Sequence, residues 1–514
     1  MSAKTRLAKI ESADRDASPT ASFATGGPNR GGDNLPSNQA LEPDCAQPSA
    51  LRRRQWLAWT SAAGVAVLAG CRETSVSDKS ESTPTVRTDV PLRVVWTGTD
   101  ADADTLRRTW QSISEQPLKI TVIPPPSDSK TGESSETSSD KPSIWAAAAK
   151  ADVIAYPLSQ LGEMVSRDLV MPPLKADTGS NDDTDFSVNK VDPPAVRVAT
   201  TYGRELQAKC LGGSLPAMLV GEKATSKVSS SSTITWQAFE QLASEFPGQV
   251  AEPTAEGWAG VSYLWRLASV LSATWLFDRN TLEPLLTQPE YVDVLRQMAA
   301  TAEHGPESPM TPGEVFRNVG SGKLVAGIGF PQNRTERTDA DDEAAATSNV
   351  QVAAFPIVES DVVDADGVKL ERTGRVVFAP QTIVGSLAAS CRQTAAANQF
   401  LKWLAGGEGS EPLYRSIPGL QHPTSSSSID DAAGGNYQPW LRSAWQNPNV
   451  MPPLNLVGGD RYLAALDTEV RKCLTGGQTP EDACAAISKS WSELHKEYGV
   501  TKQKRSWQRA LGLL

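Results

Sequence analysis

The chain has 514 residues, enough for two domains of ordinary size, and 39% of them are hydrophobic. Its 60 acidic and 49 basic residues give a formal net charge of −11, which argues against a general nucleic-acid binder, since such proteins present a basic face. The three histidines are dispersed along the sequence, so no zinc-type ligand spacing is present. We therefore predict no metal site and no cofactor.

The amino-terminal part of the chain includes a segment that has the layout of a secretion signal. Residues 1–50 are polar and lack periodicity, which predicts a disordered extension. Residues 51–71 hold three arginines, Arg52 to Arg54, then a short apolar run and small residues before Cys71. The apolar run is shorter than the stretch of about 20 residues that a membrane-spanning helix needs.

The end of this signal, Leu68-Ala69-Gly70-Cys71, resembles a bacterial lipobox. The resemblance implies cleavage before Cys71, a lipid on its sulfur, and an extracytoplasmic protein tethered to a bacterial membrane. Arg53-Arg54-Gln55-Trp56-Leu57 is also similar to a twin-arginine export signal, although an ordinary basic segment explains it equally well. The export route and the choice between inner and outer membrane stay open, and residues 72–90 predict a polar linker.

Beyond residue 90, short β-rich runs alternate with segments of helical spacing. Predicted strands at 92–96, 118–123 and 152–156 enclose predicted helices, which indicates βαβ units and a parallel sheet. Further helices are predicted over residues 259–276, 289–302, 311–319, 394–405, 411–416, 461–474 and 480–498, and further strands over 323–330, 350–356 and 375–380.

Four cysteines follow Cys71. Cys473 and Cys484 flank a predicted turn between two helices, and an oxidising compartment would permit a disulfide between them. The sequence does not decide whether Cys210 and Cys391 pair.

Several passages, taken in order, carry a family pattern. In the motifs that follow, h stands for a hydrophobic residue and x for any residue. Asp152-Val153-Ile154-Ala155-Tyr156 resembles D-V-h-h. Residues 315–329 resemble F-x-x-G-K-h-A-h-x-h, and residues 395–404 resemble A-A-x-x-F-h-x-W-L. The same series includes the first strand at 94–96, the segment 169–174, and the final Glu481-Asp482-Ala483 with Trp491. In this order the chain, from about residue 91 to 500, resembles the extracellular solute-binding proteins of ABC importers, the class that includes the maltose-binding protein.

The resemblance implies an α/β, two-lobe, periplasmic-binding-protein type II fold with a ligand cleft between the lobes. Lobe I would comprise residues 91–212 and about 330–420, lobe II residues 213–329 and about 421–500, and residues 501–514 would form a C-terminal tail. A monomer of this kind captures a small solute, here most simply a carbohydrate, by hinge closure and delivers it to an ABC permease. It performs no bond chemistry, so we predict that the protein is not an enzyme.

The resemblance places the ligand at strand ends and helix starts between the lobes, where aromatic faces and polar side chains would contact it. The side chains that these positions select are Trp96, Tyr156, Trp258, Phe330, Gln332 and Arg375.

Two alternatives remain at this stage. A cell-envelope enzyme such as a glycosidase lacks support from any Gly-x-Ser-x-Gly, His-Glu-x-x-His or phosphate-loop motif, but paired carboxylates leave no local signature. The second alternative is a lipoprotein of the same fold that binds a partner at the cell surface and transports no solute.

Overall fold

The fold is described from a computed structural model. It covers residues 89–125, 143–172, 193–228, 234–271, 275–332, 350–357, 374–406, 408–417, 419–420, 436–447 and 449–514. The predictions of an extension over 1–50, a signal over 51–71 with lipidation of Cys71, and a linker up to residue 88 lie outside the described residues.

The strands are β1 (Leu92–Thr97), β2 (Leu118–Ile123), β3 (Val153–Pro157), β4 (Val170–Met171), β5 (Thr201–Tyr202), β6 (Glu205–Leu206), β7 (Lys209–Cys210), β8 (Ala217–Val220), β9 (Val250–Ala251), β10 (Ala326–Gly329), β11 (Gln351–Ala353), β12 (Val376–Val377), β13 (Ile383–Ala388) and β14 (Val450–Met451). The helices are α1 (Asp100–Gln111), α2 (Ile144–Ala148), α3 (Leu161–Ser166), α4 (Pro194–Thr200), α5 (Glu222–Val228), α6 (Trp236–Glu245), α7 (Ala259–Val270), α8 (Pro289–Ala302), α9 (Pro312–Gly320), α10 (Thr394–Leu404), α11 (Glu411–Ser416), α12 (Tyr437–Ala444), α13 (Gly459–Leu474), α14 (Pro480–Tyr498) and α15 (Val500–Ala510).

The first sheet has the strand order β2-β1-β3-β13-β4, and β7 also pairs with β13. β1 runs parallel to β2 and β3, as the βαβ pattern predicts, whereas β13 runs antiparallel to β3. β13 has no counterpart in the sequence prediction. It is almost entirely buried, so it lacks the alternation of a half-buried strand, and Gly385 and Ser386 interrupt its apolar run.

The second sheet has the order β11-β8-β10-β9 and begins where the chain leaves β7. β8 pairs antiparallel with both β10 and β11. The expected return to lobe I near residue 330 is therefore wrong, because β11 still belongs to the second sheet. The chain rejoins the first sheet at β13, after β12 has paired with β14 in a separate two-stranded ladder.

The predicted C-terminal tail at 501–514 is also corrected. α15 packs through Gln503, Ser506 and Trp507, which are all buried. Gln503 Nε2 donates to the carbonyl of Val457 at 2.7 Å, and Tyr202 Oη lies 2.7 Å from Ser506 Oγ. The C-terminal segment is therefore part of the folded body.

Two hydrophobic cores lie on opposite faces of the first sheet. The smaller one contains α1 and α10, where Trp110 packs against Phe400 and Trp403 with ring centroids 5.1 and 5.0 Å apart. The larger one begins on the other face and continues through the second sheet and α7, α8, α13 and α14. The second lobe thus shares a continuous core with one face of the first sheet, which leaves the two faces in different environments.

Helices α7 and α13 are in close contact at Gly260, where an added Cβ would lie 2.7 Å from the backbone nitrogen of Asp467. We expect Gly260→Ala to lower the free energy of unfolding by about 1–3 kcal/mol, since the helices must separate to admit a methyl group. Alanine is otherwise the better helix former, so a loss of stability isolates this contact. Chemical denaturation of the full chain measures it, and an unchanged or raised midpoint would contradict the close approach.

Candidate functional site

Trp96 and Tyr156, the two lobe I residues selected from the sequence, face opposite sides of the first sheet. Trp96 lies beside Ala155 in the parallel register, so Tyr156, one residue further, points to the other face. Trp96 is fully buried in the smaller core. Tyr156 is fully buried in the larger one, and its hydroxyl lies 2.8 Å from Ser386 Oγ. The two rings therefore cannot line one surface of the sheet.

Burial raises the pKa of Tyr156, and the hydrogen bond with Ser386 opposes that rise. Ser386 Oγ in turn donates to the carbonyl of Gln207 at 2.8 Å, so the hydroxyl pair is directed into the protein. Tyr156 acts as a structural, neutral group in this arrangement.

Trp258 and Phe330 come together in the second lobe. Their ring centroids are 5.7 Å apart in an edge-to-face arrangement, and each lies 6.1 Å from Trp265. The indole nitrogen of Trp265 donates to the carbonyl of Val377 in β12 at 3.0 Å, which fixes the three rings beside the β12–β14 ladder. The sequence prediction thus selected two members of one aromatic cluster and missed the third.

Gln332 and Arg375 have local partners. Gln332 is exposed, and its Oε1 accepts from the backbone nitrogen of Gly313 at 3.2 Å. Arg375 donates from Nη2 to the carbonyl of Leu271 and lies 5.9 Å from the centroid of the Trp275 ring. Burial lowers the pKa of its guanidinium. A role for either residue in ligand binding stays a prediction.

Four side chains at or beside the carboxyl ends of the first sheet's strands are buried, uncharged and polar, and each has at least one polar atom without a hydrogen-bond partner among the described residues. We call them the junction cluster: Thr97, Gln160, Thr382 and Asn455. Their exposed fractions are 6%, 8%, 5% and 1%. Buried polar atoms are nearly always paired in folded proteins, so each such atom requires an explanation, of which a bound molecule is one.

The cluster follows the ends of neighbouring strands. Thr97 ends β1 and shares a face with Val95 and Tyr156, given the two-residue period of a strand. Thr382 precedes β13, and its carbonyl accepts from the backbone nitrogen of Leu158, just after β3, at 2.8 Å. The carboxyl ends of parallel strands are where α/β folds place their ligands.

Gln160 and Asn455 join this edge to the start of α13. Gln160 Nε2 and Ser159 Oγ donate to the two carboxylate oxygens of Asp460 at 2.9 and 2.6 Å. A Cβ added at Gly162 would lie 2.5 Å from the carbonyl oxygen of Asn455, so only glycine permits this approach. The turn after β3 is therefore bound directly to the amino end of a second-lobe helix.

The similarity to solved structures agrees with this two-sheet arrangement. Maltose-bound T. maritima MalE3 superposes with a TM-score of 0.53 at 15% identity, over 79% of this chain and 99% of that chain. An ABC transporter solute-binding protein from Agrobacterium radiobacter in complex with ribitol gives 0.56 at 12% identity, over 79% and 98%. The GacH receptor of Streptomyces glaucescens, solved unliganded and with acarbose, gives 0.53 at 13% identity, over 79% and 98%.

The chain has the type II fold of the periplasmic solute-binding proteins. No protein-family model matches the sequence, and no curated protein matches it at a significant level. At 12–15% identity the solved structures establish the fold and leave the ligand to be argued from this chain's own residues.

In this solute-binding fold, the junction cluster offers hydroxyl and amide groups and no charge. The adjacent carboxylate of Asp460 already accepts from Ser159 and Gln160. Threonine hydroxyls and side-chain amides both donate and accept hydrogen bonds, which suits the hydroxyl groups of an uncharged ligand. An anionic ligand buried here would lack a counter-charge, at a large cost in free energy.

Other features of the described residues lie away from the junction. A cavity of about 150 Å³ between β8, α5 and α6 is lined by none of the residues discussed above. Within the described ranges, no group of three or more His, Cys, Asp or Glu side chains could hold a metal ion. In the same ranges, no helix is both long and apolar enough to cross a membrane.

The predicted disulfide between Cys473 and Cys484 is not formed in the structure, which holds both as buried thiols. The two residues lie on the packed helices α13 and α14. Burial raises the pKa of both thiols, to about 11 for Cys484.

The sequence carries no local signal for the junction cluster. The rule that ligands lie at strand ends leads to the end of β1, but the preference for aromatic rings selects Trp96, whereas the polar group on the junction side is Thr97. Asn455 is 295 positions from Gln160, and only the crossovers bring it to the turn that holds Gln160 and Gly162.

Proposed function

We propose that the protein binds an uncharged, hydroxyl-rich small molecule, of the sugar or sugar-alcohol class, at the junction between its two lobes. The observation that carries the proposal is the junction cluster: four buried, neutral hydrogen-bonding side chains whose free polar atoms occur where this fold holds its ligands. The solved structures of the same fold name maltose, acarbose and ribitol as bound molecules, all of which are polyhydroxylated.

The aromatic cluster complements this polar set. Trp258 is the most exposed of its three rings at 7%, so it is the ring that could stack on a sugar face when the lobes separate. Arg375 and Gln332 belong to the second rank of candidates because each already has a backbone partner.

The wider role that we propose combines the fold with the predicted amino-terminal signal. The protein would hold the solute outside the cytoplasm, tethered by a lipid on Cys71, and pass it unchanged to an ABC permease as a monomer. Hinge closure would supply the signal, since contacts from both lobes favour the closed state. No catalytic step is required for this role.

A thermal-shift screen of the full chain tests the proposal, using maltodextrins and alditols beside amino acids and polyamines. A ligand at one hundred times its Kd stabilises the folded state by about 2.7 kcal/mol, which a melting curve detects readily. Stabilisation only by amino acids or polyamines would refute the proposed ligand class. Recovery of shortened oligosaccharides after incubation would instead establish the glycosidase alternative.

The double variant Thr97→Val/Thr382→Val gives the sharpest test of the site. Each substitution removes a hydroxyl that has no hydrogen-bond partner in the part of the chain that the structure describes, so stability should be unchanged or slightly higher. Ligand affinity should fall about tenfold or more, since each lost hydrogen bond contributes about 0.5–1.5 kcal/mol. Titration calorimetry with the best ligand from the screen measures the change.

The matched control is Thr200→Val, at a threonine that is equally buried but donates to the carbonyl of Val196 at 2.8 Å. This variant should retain full ligand affinity. If the double variant binds as tightly as the unmodified protein, the ligand lies elsewhere.

A further inference from the structure

The last helix of the chain is strongly basic although the protein as a whole is acidic. The chain has a formal net charge of −11, yet α15 contains Lys502, Lys504, Arg505 and Arg509 and no acidic residue. None of the ion pairs among the described residues includes any of these four side chains, and Lys504 alone among them has an electrostatic interaction with a carboxylate there, that of Asp278. Nothing in the packing of the helix requires this charge, since its buried residues are Gln503, Ser506 and Trp507.

The basic residues form a stripe on the outer side of α15. Lys502, Arg505 and Arg509 follow the spacing i, i+3, i+7, which places them on one helical face. Lys502 and Arg505 are exposed, and Arg509 is partly exposed. Gln503 and Trp507 hold the opposite face against the body, so the stripe cannot turn inward.

Arg204 adds a fourth charge beside this stripe. Its side chain donates from Nε to the carbonyl of Gly512 at 3.2 Å and from Nη2 to that of Leu513 at 3.4 Å. The neighbouring backbone is joined as well, because Gly203 N donates to the carbonyl of Arg509 at 3.1 Å. Glu205 is the acid next to Arg204 in the chain, and the four basic side chains outnumber it.

Apolar side chains border the same surface. Leu513 and Leu514 follow α15 with exposed fractions of 48% and 49%, and the carbonyl of Leu513 accepts from Arg204. Basic residues next to exposed leucines have the composition of surfaces that attach to membranes from outside, through lipid phosphates and shallow apolar contact.

We propose that this surface, formed by Arg204, Lys502, Arg505, Arg509 and the two terminal leucines, binds the headgroups of anionic phospholipids. The charge complementarity is local: an acidic protein is repelled by an anionic bilayer except where such a stripe faces it. Contact here would hold the folded body against the membrane surface in a fixed orientation. The inference stands independently of the ligand site and of lipidation at Cys71.

Sedimentation of the full chain with vesicles tests the proposal. The vesicles are pure phosphatidylcholine or phosphatidylcholine with about one-third phosphatidylglycerol, at low and at physiological salt. Any contribution of the amino-terminal apolar segment is common to all variants, so the readout is the increment that phosphatidylglycerol adds. We expect this increment to be large at low salt and to shrink as salt rises.

In the variant Lys502→Gln/Arg505→Gln/Arg509→Gln, the binding that phosphatidylglycerol adds should fall roughly a hundredfold. Each basic residue near an anionic surface strengthens binding about fivefold. The stem of Arg509 packs near Gly203, so Lys502→Gln/Arg505→Gln, confined to exposed side chains, is the second variant. In this second variant, the binding that phosphatidylglycerol adds should fall roughly twenty-five-fold. The matched control, Lys119→Gln/Lys223→Gln/Lys402→Gln, removes the same charge from exposed positions on other elements.

The control should bind as the unmodified protein does. The proposal is overturned if phosphatidylglycerol adds nothing to binding, if the α15 variants bind like the unmodified protein, or if the control loses as much as they do. Binding that follows the stripe but ignores salt would likewise contradict an electrostatic contact.

Discussion

Replacing Arg266 with methionine is expected to lower the free energy of unfolding by about 3–5 kcal/mol. Arg266 lies in α7 with 1% of its side chain exposed. Its Nε donates to both carboxylate oxygens of Glu252, at 3.1 and 3.0 Å, and its Nη2 donates to Thr301 Oγ1 at 3.0 Å. Methionine fills the space but leaves the carboxylate of Glu252 buried without its counter-charge, which is the costly outcome.

The guanidinium of Arg266 also lies 4.1 Å from the centroid of the Trp236 ring and 3.4 Å from Glu240 Oε1. The double variant Arg266→Met/Glu252→Gln removes both charges, so it should recover a large part of the loss. Urea denaturation of the unmodified chain, of Arg266→Met, of Glu252→Gln and of the double variant completes the double-mutant cycle.

An exposed arginine with two carboxylate partners serves as the control for this cycle. Arg296 contacts Asp293 and Glu481 with 52% of its side chain exposed, so Arg296→Met should hardly move the denaturation midpoint. Equal losses from Arg266→Met and Arg296→Met would show that burial of the charge is not the cause.

Lowering the pH from 6.5 to 4 is expected to reduce stability by about 3 kcal/mol through His495 alone. The imidazole is 5% exposed, and its ring centroid lies 5.1 Å from Phe277 and 5.5 Å from Tyr462. Burial lowers the pKa of His495 to about 4. Because the folded pKa is below the unfolded value of about 6.5, the unfolded chain takes up the proton first. The contribution of the neutral His495 to the free energy of unfolding is complete above pH 6.5 and is lost as the pH falls toward 4.

The variant His495→Phe isolates this contribution, since phenylalanine suits an aromatic environment and does not titrate. Other groups also titrate in this range, so the quantity to measure is the difference in unfolding free energy between the two proteins, pH by pH. We expect the difference to change between pH 6.5 and 4 and to be constant above. His304→Gln, at an exposed histidine, is the control. A constant difference across the whole range would refute the assignment.

Much of the fold could be predicted from local patterns. The predicted helices at 411–416, 289–302 and 480–498 match α11, α8 and α14 at both ends. β2 likewise matches its predicted range. Each of these elements has a clear hydrophobic period or a proline or threonine at its start, and such signals depend only on near neighbours. The predicted helix over 259–276 was too long, because α7 ends at Val270.

The candidate site could be predicted only in outline. Strand-end reasoning led to the end of β1 at which the proposed site lies, but a one-residue difference separates Trp96 in the smaller core from Thr97 on the junction face. Period-2 alternation tells which residues share a face and not which face meets the second lobe. The partner of Gln160 at Asp460 lies 300 positions away, beyond the reach of any local pattern.

The sequence by itself determined the α/β class, the order of most helices and strands, and the resemblance that the solved structures then bore out as a type II solute-binding fold. Only the tertiary structure decided that β11 stays with the second sheet, that β13 completes the first, and that the C-terminal segment packs as a helix. Those outcomes depend on pairing between residues far apart in the chain, where burial and hydrogen-bond satisfaction outweigh local preference.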